Sequence, residues 1–229
     1  MIAALILPAQ SSVEQSVSDA LGVAQPIMEY VGTIAFGISG ALVAGRKRVD
    51  IAGVVVLGVI VAVGGGTIRD LVLGDVPVFW VSDPTFVIVG SVAALATIPL
   101  FKSGMLGVWQ KYDVVDISDA LGLSLFVVTG TNVALAAGAA NFPAAIVGVI
   151  SGVGGGIIRD MLANKVPSVL TSGHLYATAA LAGALLHVLL LELPISPLAT
   201  FWIPVLVIFG LRMMSLCYGW VVPKVDLTE

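Results

Sequence analysis

Gly64-Gly65-Gly66-Thr67-Ile68-Arg69-Asp70 and Gly154-Gly155-Gly156-Ile157-Ile158-Arg159-Asp160 are almost one word written twice, ninety positions apart. Each follows an apolar run long enough to enter a bilayer, and each joins two things a membrane tolerates poorly. Glycines weaken a helix by about 1 kcal/mol apiece relative to alanine and let backbone bend or approach closely. An Arg-Asp pair carries full charges toward hydrocarbon, where ionisable groups face the interior of a bundle or a water-filled cavity. Irregular backbone at that depth persists only where protein buries it or water lines it. Two such places predict an internal path or site.

The composition makes this an integral membrane protein. Of 229 residues, 59% are hydrophobic and only 10% charged, and the mean hydropathy is +1.10, far from a soluble domain. The net charge of -4 says little about partners, because most charge lies in loops and tails. No basic cluster interleaved with aromatics suggests nucleic acid. Cys217 stands alone, which excludes an internal disulfide, and reads as a small apolar residue of the last helix. His174 and His187 lie apart, with no ligand set around them, so no metal cofactor is expected. An apolar run, Met1 to Leu7, lacks a basic flank and leads past Pro8 into polar residues, so a cleaved signal peptide is not expected. Residues 1–26 read as a loose or interfacial N-terminal extension.

Taking about 20 apolar residues per span, the first helix runs from near Ile27 to Gly45 and stops at Arg46-Lys47-Arg48. The second begins near Ile51, passes the first triple glycine and ends before Pro77. The third runs from Pro84 to Leu100, and a connector with Lys111, Asp113 and Asp116 follows. The fourth covers Ile117 to Ala137. The fifth starts at Pro143, carries the second triple glycine and ends at Pro167. The sixth covers Ser172 to Leu191, and the seventh Leu198 to Cys217.

The offset of ninety aligns more than the motif. Between Val59–Pro77 and Val149–Pro167, 11 of 19 positions are identical. The same offset pairs Glu29 with Asp119, Gly32 with Gly122, Phe36 with Phe126, Gly40 with Gly130, Ser82 with Ser172 and Phe86 with Tyr176. The expected fold is therefore an all-α membrane protein of seven transmembrane helices. A first three-helix repeat spans 27–101 and a second 117–191; a seventh helix without counterpart spans 198–217, and a tail spans 218–229. Three helices are an odd number, so the second repeat should enter the membrane inverted, and inverted repeats place a pathway near the midplane between the halves. Lys102, Lys111, Lys165 and Lys224 fall on the same side as Arg46-Lys47-Arg48, whereas Asp75, Asp83 and Glu192 fall opposite. The excess of positive charge predicts an outside N-terminus and a cytoplasmic C-terminus.

The glycines Gly64, Gly65, Gly66, Gly154, Gly155 and Gly156 admit two readings, a functional break in each helix or close helix packing. Arg69 should pair with Glu29 and Arg159 with Asp119, within each repeat. Adjacent residues do not share a helix face, so Asp70 and Asp160 should point elsewhere, capping or bridging a neighbouring helix. The charged groups either fix packing as buried pairs or form constrictions in an aqueous route. Thr33, Ser39, Ser124, Thr129, Thr131 and Asn132 could line that route or bond across helices. Neither glycine run ends in the Gly-Lys-Ser/Thr of a phosphate loop, and no nucleophile has a base at credible spacing, so an enzyme is not expected.

Seven helices built from two triplets, each with a GGGxIRD word at Gly64 to Asp70 and Gly154 to Asp160, resemble the prokaryotic members of the TRIC, or trimeric intracellular cation channel, family, also labelled as a glycine-transporter domain. The resemblance covers about residues 27 to 217. It implies a homotrimer with one pore per subunit, conducting monovalent cations such as K⁺ and Na⁺, in which helices two and five are kinked at the glycines around that pore. It also implies a bacterial inner membrane location with membrane lipids as neighbours, and lipid as a regulator is left open. No cofactor is implied beyond the permeant ion. The residues carried over are Gly64, Gly65, Gly66, Arg69 and Asp70, with Gly154, Gly155, Gly156, Arg159 and Asp160. A secondary carrier for glycine or another small zwitterion is the alternative, since a carrier needs a closed pocket that alternates between faces and a channel a continuous polar route.

Overall fold

Apolar runs bounded by caps become helices here. In a computed structural model, residues 3–102, 114–171 and 175–221 are described, with side chains over 24–99, 114–171 and 175–221. Lys111, Asp113, Ser172, His174 and Lys224 lie outside the described residues, as do the side chains of the N-terminal extension up to residue 23. The helices are α1 (Ala3–Arg46), α2 (Ile51–Leu73), α3 (Phe79–Ser82), α4 (Thr85–Lys102), α5 (Val114–Ala136), α6 (Asn141–Leu162), α7 (Ser168–Thr171), α8 (Ala177–Leu191) and α9 (Pro197–Tyr218).

Five of these segments, Ala24–Arg46, α2, α5, α6 and α9, are long and apolar enough to cross a membrane, and Thr85–Pro99 and α8 are shorter apolar helices. The protein is an all-helical membrane protein. Helix α1 starts at Ala3 rather than near Ile27. Between Ala9 and Gln25 only Gly22 disfavours a helix, so polarity alone does not end it.

Local chemistry sets the boundaries. Asp50 caps α2 by accepting from Gly53 N at 2.7 Å, and Ser196 caps α9 by accepting from Ala199 N, with Pro197 in the first turn. Gly74 closes α2 at φ 72°, the left-handed conformation that suits glycine. Asn164, its partner at the ninety offset, takes φ 54° just past α6, a conformation asparagine tolerates better than most residues.

The two triplets pack alike. Helix α1 lies against α2 and α4, and α5 lies against α6 and α8; α1 meets α5 and α2 meets α6 between the triplets, while α9 covers α5 and α8. The largest buried cluster joins Leu123, Leu125, Val127 and Val128 of α5 to Phe201, Val205 and Ile208 of α9. Cys217 is exposed in the last turn of α9.

The expected breaks at the glycines are absent from the helix hydrogen bonding, because α2 and α6 run uninterrupted through Gly64–Gly66 and Gly154–Gly156. The glycines instead remove side chains where two helices touch. Each triplet has its interruption later, at the short helices α3 and α7 that precede α4 and α8.

Candidate functional site

Helices α2 and α6 cross through the glycines of the two motifs. A Cβ on Gly65 would overlap the carbonyl oxygen of Ser151, and one on Gly155 would stand 2.9 Å from the carbonyl oxygen of Val61. Around this point Gly64 faces Ile158 and Gly154 faces Ile68. Arg69 meets α1 at Glu29 and Arg159 meets it at Ser39, about 15 Å apart along that helix, with Phe36 between them beside Gly155, so the two arginines lie on opposite sides of the crossing.

Arg69 and Arg159 are both 2% exposed. Arg69 Nη1 donates to Glu29 Oε1 at 3.0 Å, and Arg159 Nη1 donates to Asp119 Oδ1 at 2.7 Å. Each acid thus meets the arginine of its own triplet. A buried guanidinium requires such a partner, since an unpaired charge in a low-dielectric interior is strongly unfavourable.

Asp70 and Asp160 depart from the sequence expectation. They do not turn away from the neighbouring arginines: Arg69 Nε donates to Asp70 Oδ1 at 2.7 Å, and Arg159 Nε donates to Asp160 Oδ1 at 2.9 Å. Face geometry governs Cβ directions, but the long arginine side chain folds back along its helix and brings its fork to the adjacent carboxylate. The second carboxylate oxygen of each performs the bridging role. Asp70 Oδ2 accepts from Phe79 N at 2.8 Å and Asp160 Oδ2 accepts from Ser168 N at 2.8 Å, which ties the starts of α3 and α7 to the two motifs.

Several further residues complete the clusters. Arg69 lies under the Phe79 ring at 5.3 Å, and Phe79 meets Phe86, which stacks on Tyr30 at 4.4 Å. Ser39 Oγ accepts from Arg159 Nη1 at 2.7 Å. Arg212 of α9 sits over the Tyr176 ring at 4.3 Å, with Nη2 3.9 Å from Asp119 Oδ2. A charged residue inside an apolar helix was the available signal for Arg212. Ser39 was among the hydroxyls expected to line a route or bond across helices, and it does bond across them; Tyr176 was marked only as the partner of Phe86 at the ninety offset.

The hydroxyls expected to line a path or bond across helices mostly serve their own helix. Thr33 donates to Glu29 O, Ser124 to Leu121 O, Thr129 to Leu125 O and Thr131 to Val127 O. Asn132 Oδ1 instead lies 2.6 Å from His187 Nε2, whose ring Nδ1 is 3.0 Å from Thr200 O. His187 thus joins α5, α8 and α9 at one end of the bundle, next to a cavity of about 160 Å³ that Asn132, Leu193 and Phe201 help to line.

A family model described as Glycine transporter matches residues 26–102 and 116–192, the two triplets. The UPF0126 inner membrane protein YadS of Escherichia coli (strain K12) is 48% identical over 161 residues, 70% of this chain and 75% of the relative. Among solved structures, the TRIC trimeric intracellular cation channel orthologue from Rhodobacter sphaeroides is 39% identical with a TM-score of 0.79, covering 86% of this chain and 98% of that one. A prokaryotic TRIC channel solved in 0.5 M KCl is 32% identical with a TM-score of 0.79, covering 87% and 99%.

Proposed function

Since this chain belongs to the TRIC family, which the matching family model describes as glycine transporter, we propose that it is a cation channel. In this reading it is a homotrimer in the bacterial cytoplasmic membrane, with one pore per subunit selective for monovalent cations, K⁺ and Na⁺. The N-terminus lies outside and the C-terminus in the cytoplasm. The two triplets are threaded in opposite senses, and α2 and α6 line the route.

The observation that carries the reading is the matched pair of buried arginines on opposite sides of the α2–α6 crossing, each held by carboxylates. A membrane protein bears the cost of ionised groups at depth where they serve a pathway. Guanidinium alone repels a cation; Glu29 with Asp70, and Asp119 with Asp160, offset that charge and supply attraction. The glycines hold the two helices in backbone contact, so the arrangement corresponds to a closed route. Conduction requires the arginines and their acids to separate enough to admit an ion, at sites weak enough to release it.

The test is reconstitution of purified protein in planar bilayers under a KCl gradient, alongside uptake of labelled glycine into liposomes. Discrete currents that reverse near the K⁺ equilibrium potential support the proposal. Saturable glycine uptake without such currents overturns it in favour of a carrier.

A further inference from the structure

The two arginine clusters share a design but differ in charge. Around Arg69 stand Glu29 and Asp70, two carboxylates to one guanidinium. Around Arg159 stand Asp119 and Asp160, and here α9 adds Arg212, so the formal charges cancel. The second guanidinium comes from the long helix that has no counterpart in the repeat.

Arg212 is not held as an ordinary structural ion pair. It is 3% exposed, yet its nearest approach to Asp119 is 3.9 Å, beyond hydrogen-bond reach. Its Nη1 donates to Leu175 O at 3.3 Å and its guanidinium rests on the Tyr176 ring. Asp119 gives Oδ1 to Arg159 at 2.7 Å, while Asp119 Oδ2, the Tyr176 hydroxyl and Arg212 Nε have no hydrogen-bond partner among the described residues. A carbonyl and an aromatic face thus position a positive charge beside the unshared oxygen of Asp119. Its effect on that carboxylate is mainly through space, which in a low-dielectric interior extends well past contact distance.

We propose that Arg212 sets the charge of the second cluster and thereby makes the current depend on its direction. The inference rests on the cation-channel reading. A cation passing the first cluster meets net attraction from Glu29, Arg69 and Asp70. At the second it meets none, because Arg212 cancels the remaining carboxylate. The larger barrier therefore lies off-centre, and reversing the voltage changes how much of the field acts on it.

Single-channel recording in planar bilayers with symmetric KCl tests this. The wild type passes unequal currents at equal and opposite voltages. In Arg212→Gln the smaller current rises by roughly threefold and the two polarities approach equality, the order of effect expected on removing one poorly screened charge. Arg212→Lys retains the inequality. Glu29→Gln removes the inequality from the other side by reducing the larger current. A conducting wild type with equal currents, or unchanged inequality in Arg212→Gln, overturns this inference and leaves the channel reading in place. A wild type without currents overturns the channel reading itself. Should Arg212→Gln fail to yield a folded peak on size exclusion, Glu29→Gln decides, and wild-type inequality in that variant overturns the inference.

Discussion

Gly65 of α2 packs its bare α carbon against the carbonyl oxygen of Ser151 in α6, leaving no room between them for a methyl group. Neither partner can yield easily, because both are backbone within helices. Gly65→Ala is expected to destabilise the fold by about 2 kcal/mol, in the range of overpacked cores. Gly90→Ala, where a Cβ would stand 3.2 Å from the Ala62 side chain, is expected to cost less. Thermal unfolding in detergent, followed by size exclusion, should rank the wild type above Gly90→Ala and Gly90→Ala above Gly65→Ala.

Asp119→Asn takes one of two carboxylates from Arg159 and the carboxylate beside Arg212, guanidiniums that are 2% and 3% exposed. The expected loss is about 3 kcal/mol or more, the usual result of stranding a buried charge. Glu29→Gln should cost less, because the Glu29 side chain is 12% exposed and that of Asp119 only 1%. Melting temperatures of the two variants measure the difference. Equal losses would contradict the reading of Asp119 as the more enclosed of the two acids.

Asp160→Ala should loosen the connector after α6. Its carboxylate holds both Arg159 Nε and the first amide of α7, and removing a cap of this kind costs on the order of 1 kcal/mol. Limited proteolysis should cut Asp160→Ala between α6 and α7 sooner than the wild type, with the rest of the chain unchanged. Asp70→Ala should show the same effect between α2 and α3, where Phe79 N loses its acceptor.

Acid should weaken the connector before α4. Hydrogen bonds from Thr85 and from the Tyr30 hydroxyl hold the Asp83 carboxyl below the usual aspartate range. A lowered pKa in the folded state contributes stability that is fully present above the unfolded value, near 4, and is lost as pH falls through the folded value. The wild type should therefore lose melting temperature on acidification below about pH 4 more steeply than Asp83→Asn. Parallel slopes would count against this role for Asp83.

Much of this architecture was legible because ninety-residue spacing survives in residue identities. Glu29 and Asp119, two acids at equivalent places in otherwise apolar runs, pointed to Arg69 and Arg159, and the distances of 3.0 and 2.7 Å reflect the need of each buried charge for a partner. The glycines were harder, since three in a row suit both a broken helix and a close crossing, and only the facing helix decides between them. Helices α3 and α7 were hidden because four-residue helices leave no periodic pattern, and their first amides are satisfied by aspartates far back in the chain. Asp70 and Asp160 misled through Cβ geometry, which ignores how far arginine reaches. Arg212 was overlooked because it lies outside the repeat, where nothing duplicated marked it.

The contact between α1 and α5 has a bearing on how such a molecule can be made. Phe36 and Phe126 lie 5.5 Å apart between ring centroids; Phe126 fills the space beside Gly32 and Phe36 the space beside Gly122. Each half is plug and socket for the other in the same positions, as in a self-complementary dimer. Cut between α4 and α5, the two pieces would be complements instead of independent domains. A ribosome that stopped halfway would release a fragment whose finished surface exists only on its twin.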